Sequence, residues 1–234
     1  MLHKTRAIVL KTTKYGETSL VVQMLTEKFG LQAYMVNGVR NSKSKLGAGM
    51  FQPLHLLQII AYHKEAAGIQ RFKEAKHHPA FIAIPFDLMK SAVAIFMAEI
   101  VYKTIQQQEF DAQLFDFIYK SIELLDVQED NVANFHLVFL VQLSKYLGFY
   151  PAKQENTAAI FFDLKTGHFT HLKPHHPLYM DEHLSAIFLQ LVATNFEQQN
   201  DLQMSNTDRR ALLDKLVSYY TCHLDGIGSI HAHE

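Results

Sequence analysis

A single cysteine, Cys222, stands in the whole chain of 234 residues. One thiol excludes an intramolecular disulfide and any zinc site built on several thiolates. Its ordinary use is as a small core residue on a helix. No apolar run approaches the ~20 residues that a membrane-spanning helix needs. The opening MLHKTRAIVLK lacks the apolar core of a secretory leader, so the expectation is a cytoplasmic protein without a membrane anchor. The signatures of common enzyme chemistries are missing too. There is no Gly-rich phosphate loop, no GxSxG turn and no histidine pair at metalloprotease spacing. Internal repeats and low-complexity tracts are absent, and carboxylates, though plentiful, are scattered.

Acidic residues are scarce in one part of the chain only. Residues 1 to 80 hold 12 Lys and Arg against 4 Asp and Glu, while residues 81 to 234 hold 10 against 19. The formal net charge of -1 conceals this opposition. A cationic first third suggests a surface that meets a polyanion. Mutual attraction between the two halves, with no ligand, is the alternative.

The apolar pattern changes where the charge does. Before residue 80, five short runs rich in branched and aromatic residues read as strands: 5–11, 18–26, 31–38, 54–63 and 68–75. Turn signals separate them, among them KYGET at 14–18 and EKFG at 27–30, where Gly30 suits a positive φ. Five strands with no convincing helix between them suggest a small, nearly closed barrel of the oligonucleotide-binding (OB) type. Beyond HHPAFIAIP the period becomes helical. Asp87 is a plausible N-cap for a helix that is apolar around much of its circumference and is therefore expected at the centre of a bundle. Further helices read at 111–126, 130–147, 181–197 and 207–224, the last capped by Asn206 or Thr207. A hairpin reads at 159–172 around KTG. The expected fold class is α+β: an OB-type barrel over 1–80, then a mostly helical domain over 81–234 with a small hairpin insertion. Its 48% hydrophobic content supports either one large core or two modest ones.

The block TRAIVLKTTKYGETSLVVQMLTEKFGLQAYMVNGVRNSKSKLGAGMFQPLHLL combines a strand leading to a Gly-Glu turn, a TExxG turn, an xGxR segment and a Ser-Lys loop before Gln-Pro. In this it resembles the N-terminal signature of the RecO family of bacterial DNA repair and recombination mediators. LSKYLGFYP at 143–151 is similar to that family's LLxxLGYxP helix end, and FFDLKTGHF resembles the segment that follows. The resemblance runs over nearly the whole chain. It implies an OB domain followed by a helical domain, binding of single- and double-stranded DNA, and promotion of strand annealing. It also implies partnership with RecR, contact with the acidic C-terminal tail of single-stranded DNA-binding protein, and loading of the recombinase RecA onto coated strands at the nucleoid.

One departure stands out. Many family members hold a zinc ion with four cysteines in the stretch corresponding to about 152–180, and this chain has none there. His168, His171, His175 and His176 lie in that stretch, on a hairpin edge and a Pro-punctuated loop, without the spacing of a closed four-ligand site. The expectation is no metal and no cofactor, with apolar packing of Ile160, Phe162 and Phe169 in the metal's place.

Single strands are held by cations along the phosphates and flat side chains under the bases. Arg40, Lys43 and Lys45 of the loop NGVRNSKSKLG are the leading candidates for the first task, aided by Arg6, Lys11, Lys14 and Arg71 if the barrel gathers them on one side. Ser42 and Ser44 can add hydroxyl contacts to phosphate. Tyr34, at mid-strand, leads the stacking candidates, ahead of Phe51 and Tyr15. None of these reads base identity, so binding should tolerate any sequence and weaken as salt rises. An acidic, apolar peptide tail needs an apolar groove rimmed by a cation. Lys90, Lys103, Lys120 and Phe96 are the candidates there. A metal-dependent nuclease and a protein-only adaptor are the competing readings, and labelled oligonucleotides separate all three.

Overall fold

A computed structural model describes residues 2–39, 47–64, 67–105, 111–129, 131–152 and 160–227. Five antiparallel strands form the N-terminal sheet: β1 (Leu2–Tyr15), β2 (Ser19–Thr26), β3 (Gly30–Val36), β4 (Leu56–Tyr62) and β5 (Arg71–His77), in the order β3-β2-β1-β4-β5. Gly16 and Gly30 turn the chain at positive φ between the first three of them. β1 spans 14 residues, so its first half pairs with β4 and its second half with β2.

The sheet's two outer strands meet. Tyr34 and Gln70 form a parallel bridge. The Met35 N–H donates to the Gln70 carbonyl at 2.9 Å, and the Gln70 N–H donates to the Ala33 carbonyl at 2.7 Å. This join of β3 to β5 closes the expected OB-type barrel. Its interior is filled by Ala7, Val9, Val22, Met24, Leu57 and Ile59, which alternate with outward residues along their strands. The Gln70 amide reinforces the join by donating to the carbonyls of Lys64 and Ala67 at 2.7 and 2.9 Å.

The chain divides into two compact units, Met1–Val127 and Gln128–Glu234. The change from strand to helix and this division therefore fall at different places. Helices α1 (Leu88–Thr104) and α2 (Ala112–Val127) belong with the barrel, and α1 packs on β1 and on α2. That corrects the expectation for α1: its wide apolar circumference serves two packing partners rather than the centre of a bundle. Asp87 does cap α1, accepting from the Lys90 N–H at 3.0 Å. The segment before α1 is fixed from α2. The buried carboxylate of Asp126 accepts from the N–H groups of Ile82, Ala83 and Ile84 at 2.8, 2.9 and 2.8 Å.

In the second unit, α3 (Phe135–Tyr146), α4 (Glu182–Val192) and α5 (Asn206–His223) surround a small sheet of β6 (Phe161–Asp163), β7 (His168–Thr170) and β8 (Tyr179–Met180), in the order β7-β6-β8. α3 is the buried helix here, with Leu137 to Leu140 wholly inside. It begins five residues later than expected because polar side chains divert the chain. The Asn131 side chain accepts from the Ala133 N–H, and Asn134 sends its amide to the carbonyls of Gln199 and Leu202. α4 ends at Val192 rather than 197, where the Thr194 hydroxyl donates back to the Gln190 carbonyl and the Asn195 side chain accepts from the Gln198 N–H. Ser205, not Asn206 or Thr207, caps α5 by accepting from the Asp208 N–H at 3.0 Å.

Candidate nucleic-acid interface

Arg40, Lys43 and Lys45 lie outside the described residues. The residues that flank them are placed: Val39 is buried in the barrel core with Phe51, and the Thr12 hydroxyl donates to the Phe51 carbonyl at 2.5 Å. The chain thus enters and leaves the basic segment beside the Thr12 end of β1.

The remaining cations are not gathered on one side. Arg6 belongs to the framework. Its Nε and Nη2 donate to the two carboxylate oxygens of Glu27 at 3.0 and 2.9 Å, and Nη2 also donates to Asp116 at 2.7 Å. The guanidinium lies 4.7 Å from the Tyr119 ring centre and 5.3 Å from that of Phe115. The hydrogen bond from Arg6 holds the Glu27 carboxyl below its ordinary range, and Glu27 raises Arg6 in return. Arg6 is thereby a pin joining β1, the turn after β2, and α2, with its charge already shared between two carboxylates. Lys11 is exposed and faces α1, with Nζ 5.1 Å from the centre of the Tyr102 ring. Lys14 is exposed near the end of β1, opposite Leu20. A register shift between Val9 and Lys11 resets the pleat, and the two lysines, three residues apart, then point to opposite faces. Arg71 is exposed at the start of β5, opposite Tyr62.

Tyr34 cannot stack on a base. It is 0% exposed, with its ring against Phe72 at 5.9 Å between centres. Phe51 is 1% exposed and is equally a core residue, whereas Tyr15 is 58% exposed. The strand's inward phase falls on Tyr34 and Val36, the reverse of what a surface platform requires. The Tyr34 hydroxyl has no hydrogen-bond partner, and burial raises its pKa to about 12. Tyr34→Phe removes a desolvated hydroxyl at no loss of packing. It is expected to raise unfolding free energy by about 1 kcal/mol and leave oligonucleotide affinity unchanged. Thermal melts and anisotropy titrations check both, and a loss of stability would reveal a partner for the hydroxyl.

Three cations that the sequence reading passed over share the outer face of β1, β4 and β5. Lys4 stands opposite Ile60, which stands opposite Glu74, and Gln58 stands opposite Lys76. With Lys73 they line a groove of about 490 Å³. The signal that could have found them is strand register, since Lys4 is some seventy positions from Lys73 and Lys76 in sequence.

The partner candidates do not form a groove. Lys90 is 6% exposed and donates from Nζ to the Asp126 carbonyl at 2.8 Å, and Phe96 is 4% exposed. Both are corrected to core positions of the first unit. Lys103 pairs with the Glu99 carboxylate one turn earlier at 2.7 Å. Lys120 is exposed on α2.

In the second unit the hairpin is held by rings. Phe162 lies 4.8 Å from Phe169, 4.7 Å from Phe188 and 5.4 Å from Tyr219 between centres. Ile160, expected to share this packing, is 39% exposed. Gly167 closes the turn at φ +72, and a Cβ there would lie 2.9 Å from the Tyr219 hydroxyl oxygen. His176 Nε2 is 3.4 Å from the Asp163 carboxylate, and His168 bonds the Thr166 carbonyl. Among the described residues no group of three His, Cys, Asp or Glu is placed to hold a metal, and no helix is long and apolar enough to cross a membrane.

Residues 1–81 match the family described as Recombination protein O N terminal, and residues 85–229 match Recombination protein O C terminal. The chain is 39% identical to the DNA repair protein RecO of Flavobacterium psychrophilum, over 95% of this chain and 92% of that protein. It is 37% identical to the protein of the same name from Bacteroides fragilis, over 96% and 93%. It is 34% identical to that of Azobacteroides pseudotrichonymphae, over 98% and 95%.

Proposed function

The chain belongs to the RecO family of DNA repair proteins, and on that premise we propose that it is a recombination mediator that acts by binding rather than by breaking bonds. It holds single- and double-stranded DNA without reading base order and promotes annealing of complementary strands. With RecR it helps RecA onto strands coated by single-stranded DNA-binding protein, whose acidic C-terminal tail it contacts. It works in the cytoplasm, on DNA of the nucleoid. DNA binding resides in residues 1–80 and partner contacts in residues 81–234.

The observation that carries this reading is an OB-type barrel formed by a stretch, residues 1–80, that holds 12 Lys and Arg against 4 Asp and Glu. Such a barrel neutralises phosphates with long, mobile side chains, and the counterions released make affinity fall as salt rises. Each contact is to phosphate, so no base is preferred. The basic segment Arg40, Lys43, Lys45 is the leading contact.

Replacing Arg40, Lys43 and Lys45 together by alanine is expected to weaken binding of oligonucleotides of any sequence and to flatten the salt slope by up to ~2 to 3. Anisotropy titrations at several salt concentrations measure both. Unchanged affinity would remove the segment from the site, and divalent-dependent cleavage of the probe would replace the mediator by a nuclease.

A further inference from the structure

We infer that the outer face of β1, β4 and β5 is a second strand-binding track, which holds the sugar-phosphate chain of a nucleic acid while the basic segment 40–45 holds another. The inference rests on the DNA-binding reading above and adds a separate site to it. The groove is lined by Gln58, Ile60 and Ala75 with the cations Lys4, Lys73 and Lys76, and Glu74 is its one acid. β5 supplies two of the lysines because of an irregularity. Ile60 pairs with Glu74 and Ala61 with Phe72, so Lys73 is an extra residue opposite β4. A bulge of this kind re-aims a side chain, here onto the face that already carries Lys76. Among the described residues no ion pair joins Glu74 to these lysines, and the two acids near the same face, Glu27 and Asp116, are occupied by Arg6. The groove therefore keeps a net positive charge.

The chemistry favours a nucleic acid over an acidic protein segment. The groove lies on the face of the sheet rather than along the outer edge of β5, where an extended peptide would add as a strand, and its cations come from β1 and β5 on either side of β4. One row further along, Tyr62 is 44% exposed beside Arg71, which gives a flat ring next to cations. Lys4 lies eight residues, or about 25 Å along β1, from Thr12, beside which the flanking residues Val39 and Phe51 are placed. One barrel can thereby hold two strands without their phosphates sharing cations, which raises the effective concentration of one strand at the other.

The test uses the full chain and two non-complementary oligonucleotides with different dyes. The first is bound to saturation, the second is titrated, and energy transfer reports the ternary complex. In Lys4→Ala/Lys73→Ala/Lys76→Ala, first-strand affinity should change less than about threefold, while second-strand affinity falls by roughly tenfold or more and annealing of complementary strands slows with it. Glu74→Gln should strengthen second-strand capture by a few-fold. If the unaltered protein captures both strands and the triple variant does so equally well, the groove is not the second site, and the first-strand reading stands. If the unaltered protein binds no oligonucleotide, both readings fall. Displacement of the second strand by poly-glutamate at equal charge concentration would assign the groove to an acidic protein segment and overturn the inference.

Discussion

Phe162→Ala should lower the unfolding free energy of the second unit by about 3 to 5 kcal/mol. The side chain is 0% exposed and meets three other rings, those of Phe169, Phe188 and Tyr219. Its removal forfeits the transfer free energy of the ring, leaves a cavity between a three-residue strand and two helices, and breaks aromatic pairs worth something beyond their area. Strands this short cannot be held by their own ladders. The rings are what tie β6 and β7 to α4 and α5. Phe162→Leu, which refills much of the space, should cost less than half as much. Denaturation followed by tyrosine fluorescence is suitable, because the chain has ten Tyr and no Trp. A chelator should leave the midpoint of the unaltered protein where it was. A loss under about 1 kcal/mol for Phe162→Ala would show that something other than the ring cluster holds the small sheet.

Asp126→Ala should cost the first unit about 3 kcal/mol. The carboxylate is 4% exposed and accepts from three successive backbone N–H groups. Hydrogen bonds to a charged acceptor are the strong kind, and the N–H of Ile84, which is buried, would be left without a partner. The segment they hold leads directly into α1, so its release would also loosen the start of that helix. Asp126→Asn keeps one acceptor oxygen and should fall between alanine and the unaltered protein. Urea titrations of the three proteins give the order. Equal stability for Ala and Asn would mean that charge, rather than the number of acceptors, carries the effect.

The strands of the barrel and most helices were legible in the sequence because alternation, helical period, Gly30 and the Asp87 cap are local signals. Burial on a given face was less so. Tyr34 and Phe51 read as platforms from sequence alone, yet a strand's inward phase is decided by the strand it pairs with, several residues or tens of residues away. The burial of Lys90 and Phe96 is hidden from the sequence for a similar reason. α1 is apolar nearly all round, so its sequence does not say which residues meet β1, which meet α2, and which meet neither. Arg6 reads as an ordinary surface cation until Glu27 and Asp116, 21 and 110 residues away, are brought beside it. Lys4, Lys73 and Lys76 escaped notice because only pairing register assembles them. Helix ends at 134 and 193 were displaced by Asn and Thr side chains that compete for backbone partners, which a periodicity count does not register.

The barrel's wall is fastened unevenly around its circumference. Four of its junctions are ladders of paired residues, whereas among the described residues the fifth is a clasp of two backbone hydrogen bonds centred on Tyr34 and Gln70. Breathing of the cylinder is thereby given a place to start. The clasp can part while every ladder stays zipped, and the amide protons of Met35 and Gln70 are then the first of the wall to be traded for those of the solvent. Water admitted there finds the phenolic hydroxyl of Tyr34, a polar group otherwise unattended, so the opening is partly rewarded by the group it wets.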